Sequence, residues 1–463
     1  MFLLHLHLYQ PERADPWLEQ ILPEPSASPY RHWNERISHE CYEPNAELGN
    51  YSWVNFDVGP PLLTWLRQNR PLVYKALLDG DKAGLERWGH GNAVAHPYYH
   101  VILPLVPRED REVLVGWGVE YFKRHFKREP EGMWLPEMAV DYQTLEVLAD
   151  YGIVYTILTQ SQVRGGGAGG PYKVVLPSGR NIAVFVRHED LSNALAFGGF
   201  EEFYQLLDKT DGDIIVAVDG ETFGHHIKDG ATGLAQFVTS HKDRLTNMGR
   251  LYEAGYRGEV EIVEKTSWSC PHGLGRWTRD CGCGGPAPWR EPLRKLVDWV
   301  GEQVDRAFGA RLGRQALKEY IMVLLGGDNS RLSTEELKLL EAQRAKLAAN
   351  TSDGWFFARL GIEFGIVVKW ALRALELIDG PVGQFLEKIR ELGGDVALAY
   401  CPKIRGPLTA IMMYVALSAA GSAVESIGPY VVRQVDDGFE IMDRRTREVF
   451  RARHDLFWAL GHT

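Results

Sequence analysis

Apolar and polar positions alternate through the first residues of the chain. Phe2, Leu4, Leu6 and Leu8 fall on one face of an extended segment, and Leu3, His5, His7 and Tyr9 on the other. Two histidines and a tyrosine on one side of a buried strand are costly unless they line a site or satisfy one another. Further short apolar runs predict strands at Gly132–Leu135, Ile153–Leu158, Val174–Leu176, Ile182–Val186, Ile214–Val218 and Val260–Val263. Helical spacing covers Pro61–Leu78, Asp110–Phe126, Tyr142–Tyr151, Phe200–Leu207 and Thr232–Ala254. Strand and helix signals that alternate in this way predict an α/β fold, and the number of strands suits a parallel barrel.

From about residue 300 the pattern turns helical. Leu312–Leu325, Thr334–Ala349, Phe364–Ile378 and Val382–Leu392 carry apolar residues at helical spacing, separated by Gly/Asp-rich breaks. Ser333, followed by Thr334-Glu335-Glu336, reads as an N-cap with acidic residues in the first turn. Tyr430–Val432 and Phe439–Met442 suggest a small β element. The expected organisation is therefore a barrel over residues 1–300 and a helical domain over 301–463 that ends in a small β tail and contributes to the active-site cleft.

Composition narrows the function classes. A chain of 463 residues exceeds one ordinary domain, and 45% hydrophobic residues provide for a large core. A net charge of −10 argues against a nucleic-acid binder, which would carry a basic stripe. Five cysteines in this length do not form a disulfide framework, and the start lacks a basic n-region. No apolar run is long enough to span a bilayer, so the expectation is a cytoplasmic protein with no membrane partner. The run Arg164–Gly170 lacks the Lys-Ser/Thr of a phosphate loop and reads as a barrel loop. Cys270, His272, Cys281 and Cys283 are spaced more tightly than a Cys-x₂-Cys knuckle and read as reduced, packed thiols, with a structural zinc as the alternative; no cofactor or catalytic metal is expected.

Two segments carry the chemistry. Met133-Trp134-Leu135 runs into Pro136, which cannot continue a central ladder, and Glu137 follows at once. Val216-Ala217-Val218 delivers Asp219 as Gly220 breaks the strand. Two carboxylates brought by two strand ends into one cleft are the minimum equipment for cleaving a glycosidic bond.

With these pieces assembled, the chain resembles glycoside hydrolase family 57, a group of retaining enzymes acting on α-glucans. His5-Leu-His7-Leu-Tyr-Gln-Pro is similar to the first motif of that family, and Gly91-Asn92 with Pro97-Tyr-Tyr-His100 to the second. Trp134-Leu-Pro-Glu137 resembles the third, although Pro136 departs from its commonest form. Asp219-Gly-Glu221-Thr-Phe-Gly224 resembles the fourth, and Thr351-Ser-Asp353-Gly-Trp355-Phe the fifth. The segments His32-Trp-Asn-Glu-Arg-Ile, Glu40-Cys-Tyr-Glu-Pro-Asn and Ser267-Trp-Ser-Cys-Pro-His are similar to a less characterised branch of the family.

The resemblance implies an incomplete (β/α)7 barrel followed by a C-terminal helical domain, with α-amylase or 4-α-glucanotransferase activity on an α-glucan or maltooligosaccharide. It implies Glu137 as nucleophile and Asp219 as acid/base, with Glu221 ranked third. It further implies His5, His7 and His100 as donors that keep Glu137 ionised, Trp134, Trp268 and Trp355 along the sugar site, and Asp353 as a hydroxyl acceptor. Two rivals stand beside it. One is a zinc-dependent α-mannosidase or polysaccharide deacetylase type, with His5, His7 and Asp219 (joined by His225 or His226) as ligands. The other is a glycan-binding protein without turnover, which would have no need of paired acids.

Overall fold

The computed structural model describes residues 1–392, Tyr414 and 426–453. The chain divides into two compact units: Met1–Glu12 with Pro23–Cys283, and Arg13–Leu22 with Gly284–Thr463. The division thus falls before residue 300, ahead of a helix at Arg290–Gly309 that the expected boundary would cut. That helix buries Leu293, Leu296, Val297, Val300, Val304 and Phe308 along one stripe.

The first unit contains the strands β1 (Phe2–Leu8), β2 (Asn55–Val58), β3 (Ala93–Val94), β4 (Tyr155–Thr159), β5 (Val163–Arg164), β6 (Gly169–Val175), β7 (Asn181–Arg187), β8 (Ile214–Asp219) and β9 (Glu261–Ile262). One sheet runs β3-β2-β1-β8 and a second β4-β7-β6. The segment Gly132–Trp134 links them through parallel bridges, Ala95 to Met133 and Gly132 to Tyr155. Trp134 N–H donates to Ala95 O at 2.8 Å, and Met133 N–H to Tyr155 O at 3.1 Å. Counting that segment, seven parallel members follow one another: β8, β1, β2, β3, Gly132–Trp134, β4 and β7. Between the ends of this series, β7 and β8, His188 N–H donates to Ile215 O at 2.7 Å. The architecture is an α/β, incomplete (β/α)7 barrel. Its helices include Pro60–Asn69, Pro71–Trp88, Arg108–Phe126, Tyr142–Asp150, Gly199–Leu207 and Gly230–His241.

All seven residues of β1 are buried, and β1 pairs in parallel with strands on both sides. Its register sets Asp57 of β2 opposite His7, and His7 opposite Asp219 of β8. Side chains in register on parallel neighbours point to the same face, so three ionisable residues form one row across three strands. The glycine-rich run after Arg164 is shorter as a loop than expected, since Gly169 and Gly170 already belong to β6.

In the second unit, the helices Arg290–Gly309, Thr334–Ala348, Ile362–Leu377 and Val382–Glu391 are joined by a four-stranded antiparallel sheet. Its strands are β10 (Ser426–Ile427), β11 (Tyr430–Val435), β12 (Gly438–Asp443) and β13 (Val449–Arg453). Ser333 caps its helix reciprocally with Glu336: the Glu336 N–H donates to the Ser333 hydroxyl at 3.2 Å, and the Ser333 N–H to the Glu336 carboxylate at 2.7 Å. Of the expected helical domain, 393–413, 415–425 and 454–463 lie outside the described residues.

Candidate active site

The row across β2, β1 and β8 is the floor of the site. His5 Nε2 and Asp57 Oδ1 are 2.9 Å apart, and His7 Nδ1 lies 2.9 Å from Asp57 Oδ2. One buried carboxylate therefore serves both histidines. Burial alone would push the His7 imidazole down, but the charge and hydrogen bonds of Asp57, aided by Asp219 and Glu221, outweigh it and hold it at about 9. For Asp57 burial works upward, and the two histidines draw the carboxyl down to about 2. His5 goes the other way, lowered chiefly by burial. The floor thus carries one fixed cation, His7, among several carboxylates.

Aromatic rings wall this cation. Trp134 is fully buried and stacks on His5 (centroids 4.9 Å apart) and on His7 (4.6 Å). His100 stacks on His7 at 5.3 Å and on Tyr9 at 4.1 Å. His96 joins the stack, 5.4 Å from His100, with burial lowering it to about 4. A sheath of rings and neutral imidazoles keeps the surroundings of the His7–Asp57 pair low in dielectric, which strengthens every charge interaction there.

Glu137 stands at the end of the Gly132–Trp134 segment, in the turn Pro136–Met138. Its backbone is left-handed (φ 57°), as is that of Met138 (φ 49°). A non-glycine residue in this region is held there by its surroundings, and such strain gathers at functional sites. The holding group is the loop 267–270. Trp268 N–H donates to the Glu137 carbonyl at 3.0 Å, Trp268 Nε1–H donates to its carboxylate at 3.1 Å, and the Ser269 hydroxyl donates to the same oxygen. The donors on Glu137 are therefore these two residues, while His5 and His7 turn their bonded nitrogens to Asp57. Burial raises the Glu137 carboxyl and the charge of Asp219 adds to this; the Ser269 and Trp268 bonds and the His7 charge pull it back.

Asp219 ends β8 with its side chain open to solvent on one side and surrounded by protein on the others. That crowding raises its carboxyl, against the pull of His7, His226 and Arg187. Arg187 is placed by Thr159 Oγ1 (3.1 Å) and Ala217 O (3.2 Å), and its guanidinium lies 5.0 Å over the Trp268 ring. Glu221 is buried. The Tyr42 hydroxyl donates to it and the Tyr9 N–H reaches it at 3.4 Å, while burial and Asp219 raise its carboxyl to about 7. Gly224, at φ 146°, lets the following turn pass under Glu40, whose carbonyl a Cβ there would meet at 2.1 Å.

Asp353 and Trp355 belong to the second unit. Trp355 is fully buried there, its Nε1–H donating to Arg290 O at 3.2 Å and its ring covered by Arg294 at 3.9 Å. Asp57, His96 and Arg187 complete the site with no signal of their own in the sequence, while Tyr42 and Ser269 lie in the segments similar to the less characterised branch. Asn-Phe-Asp-Val at 55–58 is too short for a periodic signal, and Arg187 sits one residue beyond an expected strand. The zinc rival meets a different geometry: His225 Nδ1 lies 2.5 Å from Glu40, and Asp219 is in none of the described groups able to converge on a metal. Those groups are His7, Asp57 and His96, already engaged as an ion pair in a ring stack, and Cys270, His272, Cys281 and Cys283.

The model described as glycosyl hydrolase family 57 matches residues 5–253, and one described as a domain of unknown function (DUF3536) matches residues 287–390. A relative named alpha-amylase 1, from Dictyoglomus thermophilum, is 28% identical over 180 residues; this match spans 37% of the chain but only 26% of that relative. Among solved structures, an exo-type maltose-forming amylase from Pyrococcus sp. ST04 is similar with a TM-score of 0.62 and 16% identity, covering 90% of this chain and 83% of that one. A 4-alpha-glucanotransferase from Thermococcus litoralis gives a TM-score of 0.52 at 16% identity, covering 97% and 66%. At such identities the two structures attest to the fold. The family match takes in more than half of the sequence, including both strand-end carboxylates and the histidine strand, so this chain belongs to glycosyl hydrolase family 57.

Proposed function

We infer that the chain is a retaining glycoside hydrolase and transglycosylase acting on α-glucans, with Glu137 as nucleophile and Asp219 as acid/base. One observation carries this reading: Glu137 and Asp219 occupy two strand ends, Glu137 feels the charge of Asp219, and both feel the charge of His7. Their different settings suit different tasks. Glu137 is gripped by two donors, which favours the ionised form that attacks an anomeric carbon. Asp219 is solvent-accessible and raised, which favours the protonated form that delivers a proton to the leaving oxygen. Attack by Glu137 breaks the glycosidic bond as Asp219 protonates the departing sugar. Asp219, now ionised, takes the proton of an incoming hydroxyl as the glycosyl–Glu137 bond is broken.

His7 steadies both carboxylates, and the half-buried Trp268, held edge-on to Trp134 at 5.3 Å, offers a ring beside the nucleophile. His5, His100 and Trp134 support this reading as the stack beneath the cleft, and Glu221 as a held acceptor. Trp355 acts by packing in its own unit, where Asp353 starts a short helix. The incoming hydroxyl can be water or a sugar. Incubation with maltoheptaose, followed by separation of products over time, distinguishes them. Products both longer and shorter than the substrate are expected; a ladder of shorter sugars alone would refute transfer, and no turnover of any maltooligosaccharide would refute the whole reading.

A further inference from the structure

Cys270, His272, Cys281 and Cys283 lie outside the chemistry described so far, and the fold gathers them. One ligand atom from each falls within 4.8 Å of all the others. Cys270 Sγ stands 3.9 Å from Cys281 Sγ and 3.8 Å from Cys283 Sγ, while Cys283 Sγ is 3.4 Å from His272 Nδ1. A disulfide would bring two sulfurs to about 2.05 Å, so these thiols are not bridged. Zinc–sulfur bonds of about 2.3 Å in a tetrahedron place the sulfurs about 3.8 Å apart, and a zinc-bound imidazole nitrogen about 3.6 Å from each sulfur. These three separations match edges of that tetrahedron.

We propose that these four residues form a structural zinc site of the Cys₃His type. Three soft thiols with one imidazole select zinc over hard cations, and four protein ligands leave no open position for catalysis. The thiols bind as thiolates, giving up their protons to solvent on metal binding.

The local backbone is built for this closure. Gly273 N–H donates to Cys270 O at 3.1 Å, turning the chain between the first two ligands. A Cβ on Gly275 would meet the Cβ atoms of Cys281 (3.1 Å) and His272 (3.3 Å), so glycine lets the two ligand-bearing arms come together. Cys270 directly follows Trp268 and Ser269, the donors on Glu137. The metal would therefore staple the loop that grips the proposed nucleophile. Each Cys-x-ligand pair is too tight to be a knuckle by itself; the site arises because the turn at 273–280 folds one pair onto the other.

Zinc content tests this without any substrate, so its outcome is independent of the glucan reading. The full chain, purified without a histidine tag, should contain about one zinc per chain by mass spectrometry of the metals. Cys281→Ser with Cys283→Ser should lower that at least about tenfold. Should this double variant fail to fold, the unaltered chain decides: after exchange of zinc for cobalt(II) it should show the charge-transfer and visible bands of a tetrahedral cobalt–thiolate centre. A folded, reduced chain that holds less than about a tenth of an equivalent of zinc and develops no such bands would overturn the proposal, as would a disulfide among the three cysteines.

Discussion

The roles proposed for Glu137, Asp219 and Glu221 separate by what each carboxylate touches. Glu137 is held by an indole and a hydroxyl, Asp219 meets solvent, and Glu221 is closed in by Tyr42. The first two can meet a substrate atom; the third already has its partners. Glu137→Gln and Asp219→Asn should each lower kcat by more than about a thousandfold, with unchanged melting, because each exchange removes a charge and little volume. Glu221→Gln should keep at least about a tenth of the activity, since it alters an acceptor of Tyr42 and not a reacting group. Rates on maltoheptaose beside thermal melts check all three; a dead Glu221→Gln together with an active Asp219→Asn would exchange the two roles.

The row Asp57–His7–Asp219 is a product of strand register, not of any one residue. A slip of one position in β1 would turn both histidines away from Asp57. Asp57→Asn should therefore cost about 3–5 kcal/mol, the range for leaving a buried charge unpaired, measurable by denaturant unfolding. The pair also sets a pH window. His7, raised from 6.5 to about 9, adds stability that is complete below pH 6.5 and is lost as the pH rises through 9. Asp57, drawn from 3.8 to about 2, adds stability that is complete above pH 3.8 and is lost as the pH falls through 2. The pair's own contribution should then be flat between roughly pH 4 and 6.5 and decline on the alkaline side, and Asp57→Asn should flatten that decline; an equal alkaline slope in the variant would count against the pair.

How much of this was legible depends on element length. β1, β7 and β8 are long enough to show their periods and fall within a residue of expectation. β2 and β3 span four and two residues, with Asn55 and Asp57 at inward positions, so no apolar period marks them and Asp57 went unseen. The spacing over Pro61–Leu78 predicts one helix, but Pro71 starts a second. The histidine strand was legible as a site because burying it needs a partner, although that partner was not.

At the scale of the molecule, the family match falls in the first unit apart from Arg13–Leu22, and the separate match to residues 287–390 falls in the second. Among the described residues no helix is long and apolar enough to cross a membrane. The segment Arg13–Leu22 departs from the barrel to join the second unit. Trp17 Nε1–H donates to Glu376 at 2.8 Å, and Leu18 is buried with Ile427, Tyr430, Val432, Phe439 and Ile441. A chain ending at residue 283 would leave that segment without its partners, so trypsin should cut after Arg13 at least about tenfold faster than in the full chain; equal rates would mean that the segment is protected by other means. The same excursion orders events on the ribosome. Residues 23–283 must be made before the second unit begins to emerge, on the order of ten to fifty seconds at about 5–20 residues per second. For that interval a nascent, near-complete barrel carries an apolar loop near its start with nothing to cover it. That loop is where a chaperone would find purchase until residues 427–441 are made and cover it.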